Sequence, residues 1–294
     1  MLDIKFIREN PEIVKQGIKN KNEKDRVDEI LSLDEKRRKI ISEAEELKAK
    51  KNQVSAKIPQ MKKAGEDTTQ VFAEMKTVSD KISEFDNNLK NIENELNDIL
   101  MFIPNLPHSS VPIGKNAEQN VELRKWNPDE FKFEKSDKTH DHIELGKNLH
   151  ILDFERGAKV SGSGFPVYVG KGATLERALI NFMLDYHLAN HKYKEVFPPF
   201  LVNKESMLGT GQLPKMEEDM YAIEKDGLYP VPTAEVPITN LHRDEMLAEK
   251  DLPIRYVGYS ACFRREAGSY GKESKGFLRV HQFNKVEMVK IVKP

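Results

Sequence analysis

The sequence predicts an α+β protein whose first third is a long antiparallel helical arm and whose remainder is a sheet flanked by helices. Three observations carry that expectation. Glycine and proline nearly vanish between residues 18 and 103, where apolar residues recur at alternating spacings of four and three. An uncharged, proline-rich stretch from Met101 to Gly114 then ends any helix. Beyond it, short β-rich runs at 195–202, 228–231, 254–263 and 277–292 are separated by turns rather than by regular helices. Strands grouped in this way favour an antiparallel or mixed sheet over a doubly wound parallel one.

The 294 residues give room for two domains at the usual size of about 100–200 residues each. No apolar run approaches the roughly 18 to 20 residues that a membrane helix needs. The start, Met1-Leu2-Asp3-Ile4-Lys5, carries acid where a signal peptide carries a basic flank and an apolar stretch. A cytoplasmic protein with no membrane partner is therefore expected. The single cysteine, Cys262, suits a reducing compartment and excludes an internal disulfide or a multi-cysteine zinc site. Because 47 basic and 48 acidic residues nearly cancel, any sign of a nucleic-acid partner must come from how charge is distributed.

In the arm, only Pro59 and Gly65 interrupt, and both fall in the polar stretch from Pro59 to Thr69, which reads as one turn between two helices. The second helix places Val71, Met75, Val78, Ile82, Phe85, Leu89, Ile92, Leu96 and Ile99 on a period of 3.5 without a slip. The first shows the same beat at Ile40, Ala44, Leu47, Lys51, Val54 and Ile58, and less cleanly at Val27, Leu31 and Arg37. Such a repeat specifies a coiled-coil seam, and a short turn makes the pair antiparallel over about 45 Å. The two strands differ in charge: residues 36–63 hold ten basic against three acidic side chains, and residues 66–98 hold nine acidic against three basic. The basic helix can neutralise phosphates along a nucleic-acid backbone, or the opposite charges can simply pair across the coiled-coil flanks. An oligomerisation coil is a third possibility.

After the linker, residues 173–193 carry apolar residues at helical spacing. Nucleotide motifs of other folds fail: the stretch from Gly164 to Lys171 has the wrong spacing for a phosphate loop, and Gly172 stands where Ser or Thr would hold magnesium. His187 and His191 are four apart on the predicted helix, but no Glu lies between them and no third ligand is evident, so packed or solvated histidines are the reading. Cys262 reads as a buried strand thiol.

Strands present alternate residues to opposite faces. On the run 277–289 this places Arg279, His281, Phe283, Lys285 and Glu287 together, and the preceding run adds Cys262, Arg264 and Glu266. A polar, glycine-rich loop from Ala267 to Gly276 joins the two into a long hairpin, and Thr233 and Glu235 form another same-face pair upstream. Arginine's planar fork suits phosphate, an aromatic plane suits a purine, and carboxylates suit an ammonium. The face is therefore a site for a nucleotide beside an amino acid, or a salt-bridged exposed surface.

The segment Phe263-Arg264-Arg265-Glu266-Ala267-Gly268, followed by Gly276 and Arg279-Val280-His281-Gln282-Phe283-Asn284-Lys285-Val286-Glu287, resembles motif 2 of the class II aminoacyl-tRNA synthetases in their seryl form. Thr233-Ala234-Glu235 is similar to that family's serine-binding stretch. Gly209 to Pro214, Glu144 to Gly146, Leu152 to Arg156 and Val160 to Gly164 match too, as do the charged arm and the motif 1-like run from Lys194 to Val202 with Pro199. The resemblance spans essentially the whole sequence.

It implies a catalytic fold of an antiparallel sheet flanked by helices, in a homodimeric ligase, paired through motif 1, that activates L-serine with ATP and passes it to the 3′ end of tRNA(Ser). Arg264 would hold the α-phosphate and Glu266 the adenine amino group. Phe283 would stack on adenine with the backbone near Val280 beside it, and Arg279 would face the phosphates. Arg265 falls on the other strand face and takes a backbone role at most. Thr233, Ala234 and Glu235 would line the serine, with Glu287 reading its ammonium and hydroxyl. Lys48, Lys50 and Lys51 stand for the basic helix that would grip the tRNA. Triphosphate chemistry implies Mg²⁺, for which no ligand pair is assigned. The expected organisation is an arm over 1–103, a linker over 104–116 and a catalytic domain over 117–294. One departure stands out: the family's third motif, a glycine-rich strand and a helix bearing an arginine for the γ-phosphate, has no counterpart before Pro294. A partial catalytic domain is thus expected, with a tRNA-binding but catalytically impaired fragment as the alternative reading.

Overall fold

The computed structural model describes residues 2–65, 67–126, 139–266 and 276–293. Ala267, Gly268 and most of the expected hairpin loop, as well as Glu66, lie outside them. The chain divides into two compact units, Met1–Pro128 and Asp129–Pro294.

The first unit is helical. Asp3 caps α1 (Ile4–Glu9) by accepting from the backbone of Lys5 and Phe6, and Pro11 opens α2 (Pro11–Asn20), where a missing N–H costs nothing. The arm is α3 (Val27–Lys63) packed on α4 (Thr69–Leu100). Every seam position expected from the 4-3 spacing between Ile40 and Ile99 is buried or half-buried, whereas most of the residues between them are exposed. Three details differ from the sequence reading. The helical stretch is broken at residues 21–26, so α1 and α2 fold back to build a core with the arm's base from Ile7, Val14, Ile18, Val27, Ile30, Leu96 and Ile99. Pro59 lies within α3, which continues to Lys63, and Gly65 takes φ +75° just beyond its end. Upstream, the most buried positions are Ile30, Leu33 and Asp34, with Leu31 half-buried and packed against the same core. Asp34 is 0% exposed, and its carboxylate accepts from Arg8 at 2.9 Å, Arg38 at 3.1 Å and Arg37 at 3.3 Å.

The second unit is built on β6 (Ile254–Phe263) and β7 (Gln282–Ile291), a ten-residue antiparallel pair running in register from Ile254↔Ile291 to Phe263↔Gln282. β3 (Lys194–Glu195) joins β6 in parallel, so the sheet is mixed. Two small antiparallel pairs flank it, β1 (Leu152–Asp153) with β2 (Val167–Tyr168) and β4 (Leu201–Asn203) with β5 (Leu228–Pro230). Helices α5 (His142–Asn148), α6 (Phe154–Ser161), α7 (Lys171–His191), α8 (Lys204–Gly209) and α9 (Glu235–Thr239) complete the unit. Helix α7 lies against β6 and β7, and α9 packs beside β7. A second core gathers Val202, Met207, Leu213, Met220, Val231 and Val236.

Two strand expectations are corrected. The last strand begins at Gln282, not Phe277, so Arg279 lies ahead of it. The run around Thr233 is not a strand: Thr233 and Ala234 lead into α9, because Pro232 and Pro237 remove ladder donors. No helix among the described residues is long and apolar enough to cross a membrane.

Candidate active site

The site grows from one face of the β6–β7 hairpin. In register, Gly258 faces Glu287, Ser260 faces Lys285 and Cys262 faces Phe283, which puts Phe283, Lys285 and Glu287 in a row on a single side. The end of the hairpin is fastened by backbone: Arg264 donates to the His281 carbonyl at 2.9 Å, and His281 donates to the Gly164 carbonyl at 2.9 Å. Gly164 has φ +82°, and a β-carbon there would come within 2.5 Å of the His281 ring. That contact explains a glycine at this point of the Val160–Gly164 run and ties the run to the hairpin.

The carboxylate end comes first. Thr233, 5% exposed, donates its hydroxyl to Glu287 Oε2 at 2.8 Å across 54 residues of sequence. The Thr233 Oγ1 itself accepts from the Glu235 backbone at 3.1 Å and from Lys285 Nζ at 3.1 Å, while Lys285 Nζ sits 2.6 Å from Glu287 Oε2. A carboxylate and a hydroxyl held this way form a receptor for an ammonium group, and here a lysine fills it. Ala234 is buried behind Thr233, and the Glu235 side chain is exposed at the start of α9.

Four residues up the strand, the character changes to cationic and aromatic. The Arg264 guanidinium lies 5.1 Å from the Phe283 ring centroid and reaches the Pro232 carbonyl at 3.4 Å. Glu266, at φ +51°, pairs with Arg279 at 2.7 Å. Arg265 is exposed and donates its backbone N–H to the Asp219 carbonyl at 2.8 Å. Val280 is buried just ahead of the strand. Cys262, 0% exposed beneath this face, touches Ser260, and burial pushes its thiol up. The sequence did not foretell the Lys285 contacts, since same-face alternation says nothing about which element lies opposite.

On the other side of the sheet, Tyr259 donates to Asn284 at 2.8 Å and Asn284 donates to Glu176 of α7 at 3.0 Å. Burial, with Glu176 nearby, holds the Tyr259 phenol above its ordinary value. A cavity of about 490 Å³ opens there, and one of about 220 Å³ lies against α6 and β2. Phe283 lines the smaller one, but neither is lined by Thr233, Glu287 or Arg264, so the candidate site is chosen on its convergent polar chemistry rather than on cavity size.

Lys48, Lys50 and Lys51 belong to the other unit, on α3. Lys48 pairs with Asp86 of α4 at 2.9 Å, Lys50 is exposed, and Lys51 occupies the half-buried seam. Cross-helix pairs also include Arg37 with Glu93 at 3.4 Å, so part of the charge asymmetry is spent between the helices. Among the described residues no group of three or more His, Cys, Asp or Glu side chains is arranged for a metal ion. The His187 and His191 rings face each other, Nδ1 to Nδ1 at 2.8 Å, beside Tyr186 and Tyr193, and Arg255 donates to the His191 carbonyl at 3.4 Å.

Comparison with known proteins gives one answer for both units. Residues 1–107 match the seryl-tRNA synthetase N-terminal domain, and residues 219–294 match the class II tRNA synthetase core domain of the G, H, P, S and T enzymes. Serine–tRNA ligase of Chloroherpeton thalassium is 54% identical over 100% of this chain and 69% of its own length; that of Chlorobaculum parvum is 53% identical over the same shares. Among solved structures, seryl-tRNA synthetase from Pyrococcus horikoshii complexed with ATP aligns with a TM-score of 0.86 and 37% identity, over 98% of this chain and 69% of that one. Cytoplasmic serine–tRNA ligase from Naegleria fowleri in complex with AMP aligns with a TM-score of 0.78 and 30% identity, over 98% and 66%.

Proposed function

This chain belongs to the seryl-tRNA synthetase family, and from that premise we propose how its residues divide the work of a serine–tRNA ligase. The reaction has two steps. The serine carboxylate attacks the α-phosphorus of ATP, a P–O bond breaks and pyrophosphate leaves; a terminal ribose hydroxyl of tRNA then attacks the acyl carbon and AMP leaves. No general base is needed for the first step, because the nucleophile is already an anion. What the first step needs is positioning and positive charge where two anions meet.

The observation that carries the assignment is the Thr233–Glu287 pair, an ammonium receptor on the strand face that also bears Phe283 and Arg264. Thr233, Glu235 and Glu287, with Ala234 at the wall, bind serine. Hydrogen bonds to the serine hydroxyl reject alanine, which would leave those groups unpaired. Arg264 neutralises the α-phosphate, and Phe283 stacks on adenine in place of the guanidinium that now covers it. Glu266 reads the adenine amino group and Arg279 turns to the phosphates, so their present ion pair opens when ATP binds. The Val280 and Arg265 backbones frame the nucleotide. Mg²⁺, held mainly by the triphosphate oxygens, would offset the phosphate charge beside Arg264 and Arg279.

The wider proposals follow from the same family. Residues 1–103 act as the tRNA-binding arm, with Lys48, Lys50 and Lys51 on its basic helix, residues 104–116 as a linker and residues 117–294 as the catalytic part. A homodimer is supported by an exposed apolar stripe on α7, Leu175, Leu179 and Phe182, together with Phe197 beside the motif 1 proline, the last 77% exposed. A cytoplasmic location suits translation.

The test is exchange of labelled pyrophosphate into ATP. L-serine is expected to support it and L-alanine is not. A chain that binds tRNA(Ser) yet gives no serine-dependent exchange would instead fit the tRNA-binding alternative.

A further inference from the structure

We infer that Lys285 is an internal occupant of the serine-ammonium site, which ties Thr233 to Glu287 and must be displaced before serine binds. The inference rests on the reading of Thr233 and Glu287 as the serine site. The Thr233 hydroxyl has one proton to donate and two lone pairs to offer. All three are committed: the proton goes to Glu287 at 2.8 Å, one lone pair accepts from the Glu235 backbone at 3.1 Å, and the other accepts from Lys285 at 3.1 Å. An incoming ammonium finds no vacant lone pair on Thr233.

Glu287 is engaged at the same place. Its Oε2 takes the Thr233 proton and lies 2.6 Å from Lys285 Nζ, so one oxygen serves both partners. Two ammonium groups cannot share that oxygen and that hydroxyl at hydrogen-bond distance, because their like charges would meet in a half-buried pocket. Lys285 is the partner that can leave. Its side chain is 35% exposed against 19% for Glu287, and its stem is long and flexible, whereas the Glu235 N–H is fixed by α9. Serine affinity is therefore the difference between two ammonium groups competing for one receptor.

The experiment measures binding of ethanolamine by calorimetry, using competition against L-serine. Ethanolamine carries serine's ammonium and hydroxyl but no carboxylate, so nothing the displaced lysine does afterwards enters the result. In Lys285→Met the neutral stem keeps its volume, and the Kd for ethanolamine is expected to fall about three- to tenfold with ATP binding unchanged. Lys285→Arg keeps a cation in place and should bind ethanolamine no more tightly than the wild type. Should Lys285→Met not fold, Lys285→Gln carries the same expectation. An unchanged or raised Kd in the neutral variants overturns the inference. Glu287→Gln separates the two levels of the argument. If it binds serine and ethanolamine as the wild type does, the serine-site reading itself fails; if it loses both while Lys285→Met shows no tightening, only the lysine inference fails.

Discussion

Thr233 and Glu287 are 54 positions apart in the sequence, and the threonine hydroxyl donates to the glutamate carboxylate at 2.8 Å. The contact joins the approach to α9 with the middle of β7, so the amino-acid end of the site exists only when both elements are docked. Thr233→Val keeps the shape and removes the hydroxyl, leaving Glu287 without that donor. A hydrogen bond to a charged group is worth about 1.5–3 kcal/mol, which predicts a rise of roughly 10- to 100-fold in the KM for serine. The KM for ATP should stay within about twofold, since the Thr233 hydroxyl bonds to Glu287, the Glu235 backbone and Lys285, whereas Arg264 reaches the Pro232 carbonyl and the Phe283 ring. Steady-state exchange kinetics with each substrate varied separately check this, and equal losses for both substrates would show a general folding defect instead.

Asp34 gathers Arg8, Arg37 and Arg38 around a carboxylate whose side chain is 1% exposed. Arg8 comes from α1, so this cluster fastens the folded-back helix to the arm's base. Asp34→Ala leaves three cations facing one another over a buried gap, and a loss of about 3 kcal/mol is expected, near the lower end for a broken buried pair because the arginines keep some solvent. Asp34→Asn retains the size and part of the hydrogen bonding and should lose about 1–2 kcal/mol. Urea unfolding followed by helical circular dichroism measures both; an alanine variant as stable as the wild type would show that the cluster contributes nothing.

Sequence reasoning succeeded wherever a period was long. Nine apolar positions from Val71 to Ile99 specify a seam, and alternation along β7 puts Phe283, Lys285 and Glu287 on one face. It failed where a single residue departs from the pattern for a tertiary reason. Asp34 occupies a seam position because three arginines from two helices meet there, and a charged residue at such a position hides the repeat. The hairpin end was equally hidden: Arg264 still pairs with His281, but Glu266 turns into a left-handed conformation, which alternation cannot foresee. Nor does the pattern reveal that Thr233 leads into a helix whose cap region reaches across to β7.

Cys262 supplies a pH-dependent test. Burial raises its thiol, which means that the folded protein favours the neutral form more than the unfolded chain does. The stability this contributes is complete below the ordinary thiol value and is lost as pH rises through the higher folded value. Urea midpoints between about pH 7 and about pH 10 should therefore fall more steeply for the wild type than for Cys262→Ala. Native protein should also leave the thiol unreactive toward a disulfide reagent at mildly alkaline pH, with reaction appearing on unfolding. Rapid labelling of the folded protein would contradict the buried, neutral state.

The arm's basic helix offers the clearest separation of tRNA binding from serine activation. Lys50 is exposed, Lys48 is only loosely held because its pair with Asp86 is half-exposed on both sides, and Lys51 is half-buried in the seam. Reversing all three to Glu removes three cations and adds three anions on one helix. Affinity for tRNA(Ser) should fall, and the slope of log K against log salt should become shallower by about 2–3, since each neutralised phosphate contributes about 0.7–0.9. Singly, Lys50→Glu is expected to weaken binding more than Lys51→Glu, whose ammonium stem is partly committed to helix packing. Filter binding across a salt series measures the slopes. Pyrophosphate exchange should be unchanged, because it needs no tRNA; a triple variant that loses exchange while keeping tRNA affinity would place the tRNA contact elsewhere.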